Sequence, residues 1–89
     1  MQKHIKVYID YFDICEQDVV KCEICGKQRR VDKGGFDIHH INGRIGKDAN
    51  NIENLILLCR KCHTDVHEGR EEKYIVVYAH KVTLAKFRK

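Results

Sequence analysis

Two Cys-x-x-Cys pairs, Cys22/Cys25 and Cys59/Cys62, constrain this 89-residue chain more than any other feature. Each pair lets two sulfurs of one tight turn approach a single ion at about 2.3 Å, and two pairs complete a tetrahedron. A chain this short buries only roughly 60–65 % of the surface that its unfolded form exposes, so a metal staple stabilises it where a large core cannot. Five cysteines is an odd number, and there is no basic-then-apolar leader; both point to reduced thiols on zinc rather than a disulfide framework. A redox-active Cys-x-x-Cys is the competing reading for either pair alone, and the second pair argues against it. Four thiolates fill every position of such an ion, so this site holds structure and does no chemistry. Cys15, the unmatched cysteine, reads as a small buried apolar residue.

The 33 residues between the pairs exceed the usual ribbon spacing of about 15–20, so the staple would pin both ends of whatever that segment does. Within it, Phe36-Asp-Ile38-His-His40 alternates as a strand, Asn42-Gly43 marks a turn, and the stretch through Asn50-Asn51 is polar loop. Leu55–Leu58 is an apolar run able to pair back as a second strand. A helix is expected from Arg60 to Glu68, ended by Gly69. Ile5, Tyr8, Ile9 and Phe12 fit a short helix, although Ile5, Val7, Ile9 and Tyr11 also fit a strand. Tyr74, Val77, Tyr78 and Val82 predict a closing helix in spite of the β-leaning Ile75-Val76-Val77. The expected order is helix, zinc hairpin, strand, loop, strand, helix, helix, in one domain over residues 1–89 with a central motif at 22–67 and a basic helix over 69–89.

There is no Pro, no Trp and no apolar run near 18 residues, so neither a transmembrane helix nor a Pro-rich linker is expected, and the reading is a cytoplasmic protein. The net charge of +4 is unevenly placed. Residues 1–68 hold 11 basic and 11 acidic side chains, whereas 69–89 hold Arg70, Lys73, Lys81, Lys86, Arg88 and Lys89 against Glu71 and Glu72. Such a tail suits a phosphate backbone, or is simply a solvated helix face.

Four of the six histidines carry the second signal. His63 and His67 are four apart on the expected helix, with Cβ atoms about 5–6 Å apart, a spacing that lets two imidazoles clasp one ion. His39 and His40 are neighbours on a strand and leave opposite faces, so they do not share an ion. One can bind metal while the other points across a cleft. In-line displacement at phosphorus needs that division: a base at the attacking water and positive charge at the departing oxygen. Asn54 closes the loop, with an amide able to hold the backbone or the second His. His4 and His80 read as solvent-facing, and the four Tyr as packing residues rather than platforms for bases.

The succession Cys22-x-x-Cys25, Asp37-Ile-His39-His40-Ile, Glu53-Asn54-Leu55 and Leu58-Cys59-Arg-Lys-Cys62-His63 resembles the HNH (ββα-metal) endonucleases with an embedded zinc ribbon, and small phage-type HNH proteins in particular. The resemblance implies an α+β, zinc-stabilised ββα-metal (His-Me finger) fold with flanking helices. It implies that His40 is the general base, that Asn54 is the middle Asn of the motif, and that His63 ligates the catalytic metal. His39 stands where the family often has a ligating Asp. A His there, with the His-x-x-x-His pair, resembles the colicin-type nucleases and assigns His67 as third ligand. Three imidazoles should favour Zn²⁺, Ni²⁺ or similar ions over Mg²⁺, the candidates for the catalytic ion being Zn²⁺, Ni²⁺, Mn²⁺ and Mg²⁺, and Asp37, on the face of His39, would support the site.

The implied activity is metal-assisted hydrolysis of DNA. Arg44, Lys47, Arg60 and Lys61 are the candidates for phosphate contact. Gly34-Gly35, Gly43 and Gly46 either let backbone approach a ligand or simply turn the chain. Binding should be mostly to the backbone and salt-dependent, giving nicking or weakly specific cutting by a monomer or weak homodimer. Packaging proteins of a phage are one class of partner this resemblance suggests; restriction, mobility and toxicity are others. The reading from a different class is a non-catalytic zinc adaptor that binds DNA or protein.

Overall fold

The computed structural model describes residues 2–87. Arg88 and Lys89 of the basic tail lie outside the described residues. Helix α1 spans Lys3–Tyr11, and strands β1 (Val19–Lys21) and β2 (Gln28–Arg30) form a small antiparallel ribbon around the first cysteine turn. Strand β3 (Phe36–His40) pairs antiparallel with β4 (Leu55–Cys59), and helices α2 (Arg60–His67) and α3 (Lys73–Phe87) follow. Two 3₁₀ turns, Val31–Lys33 and Ile52–Asn54, precede β3 and β4. The architecture is α+β, with β3, β4 and α2 as the ββα unit.

Strand β4 explains the layering. All five residues of Leu55–Cys59 are buried, because both faces of the β3–β4 pair are covered. Ile56, Leu58 and Cys59 pack with Cys22, Cys62 and Val76 on the side of α2 and α3. Leu55 and Leu57 pack with Tyr8, Val20 and Ile38 on the side of α1. Fully burying a side chain such as Leu55 or Ile56 is worth about 1.5–3 kcal/mol, so this one strand anchors two thin cores. Register places His39 opposite Ile56 and His40 opposite Leu55. The two histidines therefore project to opposite layers, His39 toward α2 and His40 toward α1.

The helix ends follow local chemistry. Cys59 caps α2, its sulfur accepting from the Cys62 N–H at 3.5 Å. Gly69, at φ +77°, turns the chain out of α2. The N–H groups of Arg70 and Glu71 then donate to the Asp65 carbonyl, so residues 69–72 form a connection and the helix expected over 69–89 starts only at Lys73. N-terminally, α1 is a helix and not a strand; Tyr8 and His4, four apart, supply its buried face.

Several side chains sit elsewhere than composition suggested. Cys15 is exposed, in the polar turn between α1 and β1, where its N–H donates to Asp18. His80 is 1 % exposed, because α3 packs across the cysteine-bearing face and carries it inside. Of the four Tyr, only Tyr8 is core; Tyr11, Tyr74 and Tyr78 are exposed. Tyr11 still packs edge-on against Phe12, while Tyr74 and Tyr78 lie on the outer side of α3.

Candidate metal centres and base site

The four cysteines converge from two turns. Cys22 and Cys25 lie in the turn between β1 and β2, and Cys59 and Cys62 bracket the junction of β4 with α2. Their sulfurs all lie within 4.8 Å of one another. Cys25 Sγ and Cys59 Sγ are 3.7 Å apart, close to the roughly 3.8 Å edge of a tetrahedron with 2.3 Å metal–sulfur bonds. The donor set and its spacing fit zinc. Burial opposes ionisation of Cys59, but the Cys62 N–H and the neighbouring thiols outweigh it and lower its pKa, while burial and the same crowding of thiols raise that of Cys62, so the cluster without an ion favours a thiolate on Cys59 and a thiol on Cys62.

Between the two cysteines of the first turn, Glu23 is threaded into the interior. Its N–H donates to the Leu57 carbonyl. Its carboxylate receives the Tyr8 hydroxyl at 2.6 Å and the Leu57 N–H at 2.9 Å, and pairs with His80 Nδ1 at 2.8 Å. The first cysteine turn is thus tied to α1, β4 and α3 at once.

A second cluster lies along α2. His39 from β3 and His63 and His67 from α2 offer three ring nitrogens within 4.8 Å of one another. The Nε2 atoms of His63 and His67 face each other at 2.9 Å. The Nδ1–H of His63 donates to Asp37 Oδ2 at 3.0 Å, which leaves the lone pair on Nε2, the nitrogen turned toward His67. Burial, then the neighbouring His63 and His67, lower the His39 pKa to about 4, so that ring is neutral at neutral pH and able to ligate. An all-imidazole set of this kind suits Zn²⁺ or a similar borderline ion. The group opens onto a cleft of about 290 Å³ lined by His39, Ile41, Val66, His67, Glu71 and Lys73.

His40 stands apart from that cluster, on the other face of β3. Its Nε2 donates to the Asn50 side-chain oxygen at 3.0 Å, while its Nδ1 is buried without a partner. Asn54 does not touch it. The Asn54 amide accepts from the Asn42 N–H at 2.7 Å and donates to the carbonyls of Gly43 and Ala49, so it closes the 42–50 loop like a staple. His4, expected in solvent, is buried against His40 with ring centroids 4.6 Å apart, because α1 packs on that face of the sheet. Burial, then the charges of His40 and Arg44, lower the pKa of His4.

The basic residues divide. Lys61 pairs with Asp65 at 3.2 Å and Arg60 approaches Asp37 at 3.6 Å, both on exposed surface of α2. Arg44 and Lys47 lie on the exposed loop and make no ion pair among the described residues. Glu23, Asn50 and His4 are the residues that the sequence did not single out for the site; only their place in the fold brings them there.

An antiparallel strand pair followed by a helix, with four clustered cysteines at the strand–helix junction and a histidine cluster between β3 and α2, defines a ββα protein with two side-chain groups able to hold a metal ion. The family of HNH endonucleases matches residues 22–69, more than half of the chain, and the chain belongs to that family. No curated protein and no solved structure matches it.

Proposed function

We propose that this protein is a metal-dependent endonuclease that hydrolyses DNA phosphodiester bonds. The observation that carries the reading is the placement of three imidazole nitrogens within 4.8 Å of one another beside an independent histidine on the next residue of the same strand. His39, His63 and His67 would hold the catalytic ion. Bound there, a divalent ion would supply Lewis-acid stabilisation of the negative charge that develops during hydrolysis. His40 takes a proton from the attacking water, a role worth typically 10²–10⁴-fold. Asn54 keeps the loop closed over this edge, and Asp37 orients His63. Arg44 and Lys47, unpaired among the described residues, are the better placed of the basic side chains to meet phosphate; Arg60 and Lys61 already answer carboxylates. Binding is then chiefly to the backbone and weakens steeply with salt.

A supercoiled-plasmid nicking assay with Zn²⁺, Ni²⁺, Mn²⁺ and Mg²⁺ tests the reading. Cleavage by the wild type and none by His40→Ala, with DNA binding and fold retained, is the expected result. The adaptor alternative predicts one tightly held ion and no cleavage to abolish. Counting bound zinc per chain separates the two, because the nuclease needs a second, exchangeable ion at the histidines.

A further inference from the structure

We propose that the outer face of α3, with Tyr74 and Tyr78 as stacking platforms and Lys73 and Lys81 beside them, binds the unpaired bases of a DNA strand next to the histidine cleft. This rests on the nuclease reading and deepens it by naming a substrate class, DNA with a single-stranded segment. Tyr74 and Tyr78 are four residues apart, so they stand on one face of the helix, about 6 Å apart along its axis. They are 68 % and 69 % exposed, and neither ring lies against another aromatic among the described residues. Val76 and His80 turn the opposite face inward. Lys73, Tyr74, Ile75, Val77, Tyr78 and Lys81 line one hollow on the outer face. Lys73 also lines the cleft at His39 and His67, so the two surfaces are continuous.

Charge decides the occupant. Residues 73–89 hold Lys73, Lys81, Lys86, Arg88 and Lys89 and no Asp or Glu. Lys73, Lys81 and Lys86 make no ion pair among the described residues. Two copies of such a face would set cation against cation, so a second copy of the chain fits poorly. A polyanion fits, because its phosphates answer the lysines and release their counterions. The rings add a flat apolar surface that phosphate alone does not use. Bases offer the matching surface, and their stacking on aromatic rings tolerates any sequence. In a duplex those base faces are covered by their neighbours in the stack. Only unpaired bases can lie on Tyr74 and Tyr78, as at a fork, a flap or a single-stranded tail. Glu71 and Glu72 precede Lys73 at the cleft end, so the favourable surface runs C-terminally from Lys73. A strand leaving the cleft would meet Lys73, then the two rings, then Lys81.

The test uses the full zinc-replete chain. Fluorescence anisotropy of a labelled oligothymidylate and of a blunt duplex of equal length, without added divalent metal, reads binding apart from cleavage. Tyr74→Ala and Tyr78→Ala should each weaken oligothymidylate binding about 5- to 100-fold and change duplex binding less than about 2-fold. Tyr78→Phe should bind as the wild type does, since stacking does not need the hydroxyl. Tyr78→Leu, which keeps an apolar side chain but no flat ring, should lose binding as Tyr78→Ala does. Lys81→Gln should lower the slope of log affinity against log salt by about 0.7, the single-strand value for one phosphate. Both rings are exposed, so an unchanged Tm is expected throughout. With metal, a duplex carrying a single-stranded tail should be cut at a lower KM than the blunt duplex, an advantage that Tyr78→Ala removes. A wild type that does not bind oligothymidylate, or alanine variants that bind it undiminished, overturns the proposal. So does polyglutamate competing as well as unlabelled oligothymidylate, which would mean charge alone, or a dimer in sedimentation that the alanine variants abolish with DNA binding unchanged. Tyrosine-dependent binding with no cleavage of any substrate would instead remove the nuclease reading and leave the binding face to stand by itself.

Discussion

Glu23 Oε1 and His80 Nδ1 meet at 2.8 Å although 57 residues separate them, with side chains only 3 % and 2 % exposed. The second nitrogen of His80 donates to the Ile52 carbonyl at 2.6 Å. Glu23 sits in the first cysteine turn and His80 in the middle of the last helix, so this contact closes the molecule from end to end. Removing one partner leaves the other buried and uncompensated. Glu23→Ala should therefore cost about 3–5 kcal/mol, and Glu23→Gln less because it keeps an acceptor for Tyr8 and Leu57. Urea unfolding of the zinc-replete protein measures both.

The same contact makes stability depend on pH. Burial opposes protonation of His80, but the Glu23 carboxylate and the Ile52 carbonyl outweigh it and raise the pKa above the usual histidine value. A raised folded-state pKa contributes stability that is fully present below the unfolded value of about 6.5 and is lost as pH rises through the folded one. The Tm difference between wild type and His80→Gln should thus be larger at pH 6 than at pH 9. A difference that grows with pH would mean that His80 is held neutral.

Zinc removal should unfold the chain rather than merely inactivate it. Cys22, Cys59 and Cys62 belong to one of the two small cores, and the ion's binding free energy is in large part folding free energy for so small a domain. Chelation, or Cys59→Ser, should abolish the cooperative thermal transition and collapse amide dispersion in NMR spectra. Retention of native dispersion after complete zinc loss would show that the apolar packing suffices.

Asp37 is expected to tune the histidine centre without entering it. Its carboxylate fixes the His63 tautomer by accepting the Nδ1–H at 3.0 Å. Loss of such a partner typically costs 10–100-fold in metal affinity. Asp37→Ala should therefore weaken Zn²⁺ or Ni²⁺ binding at the exchangeable site by about that factor, with the four-cysteine ion unaffected. Titration calorimetry on the protein with its structural zinc in place reads this directly.

The parts of this protein legible in its sequence are those whose geometry is local. Cys-x-x-Cys pairs are turns by construction. His63 and His67 share a face because a helix repeats every 3.6 residues, and His39 and His40 part company because a strand repeats every two. The strand pair and the two C-terminal helices follow from the same periodicities, with Gly69 as the stop. Register then sends His39 to α2 and His40 to α1.

What only the tertiary structure decided is which surfaces are covered. His4 and His80 look like solvent residues in sequence, and both are buried because α1 and α3 close over opposite faces of one hairpin. Asn50 reads as one more polar loop residue until Asn54 folds the 42–50 segment back and carries its amide to His40. Glu23 is unremarkable between two cysteines until the helices supply its partners. Cys15 and Tyr78 show the reverse, apolar by type yet left exposed because no element packs over them. Ligand spacing and periodicity are properties of neighbouring residues and so are written in the chain; burial is a property of distant ones, and it exists only once the layers have met.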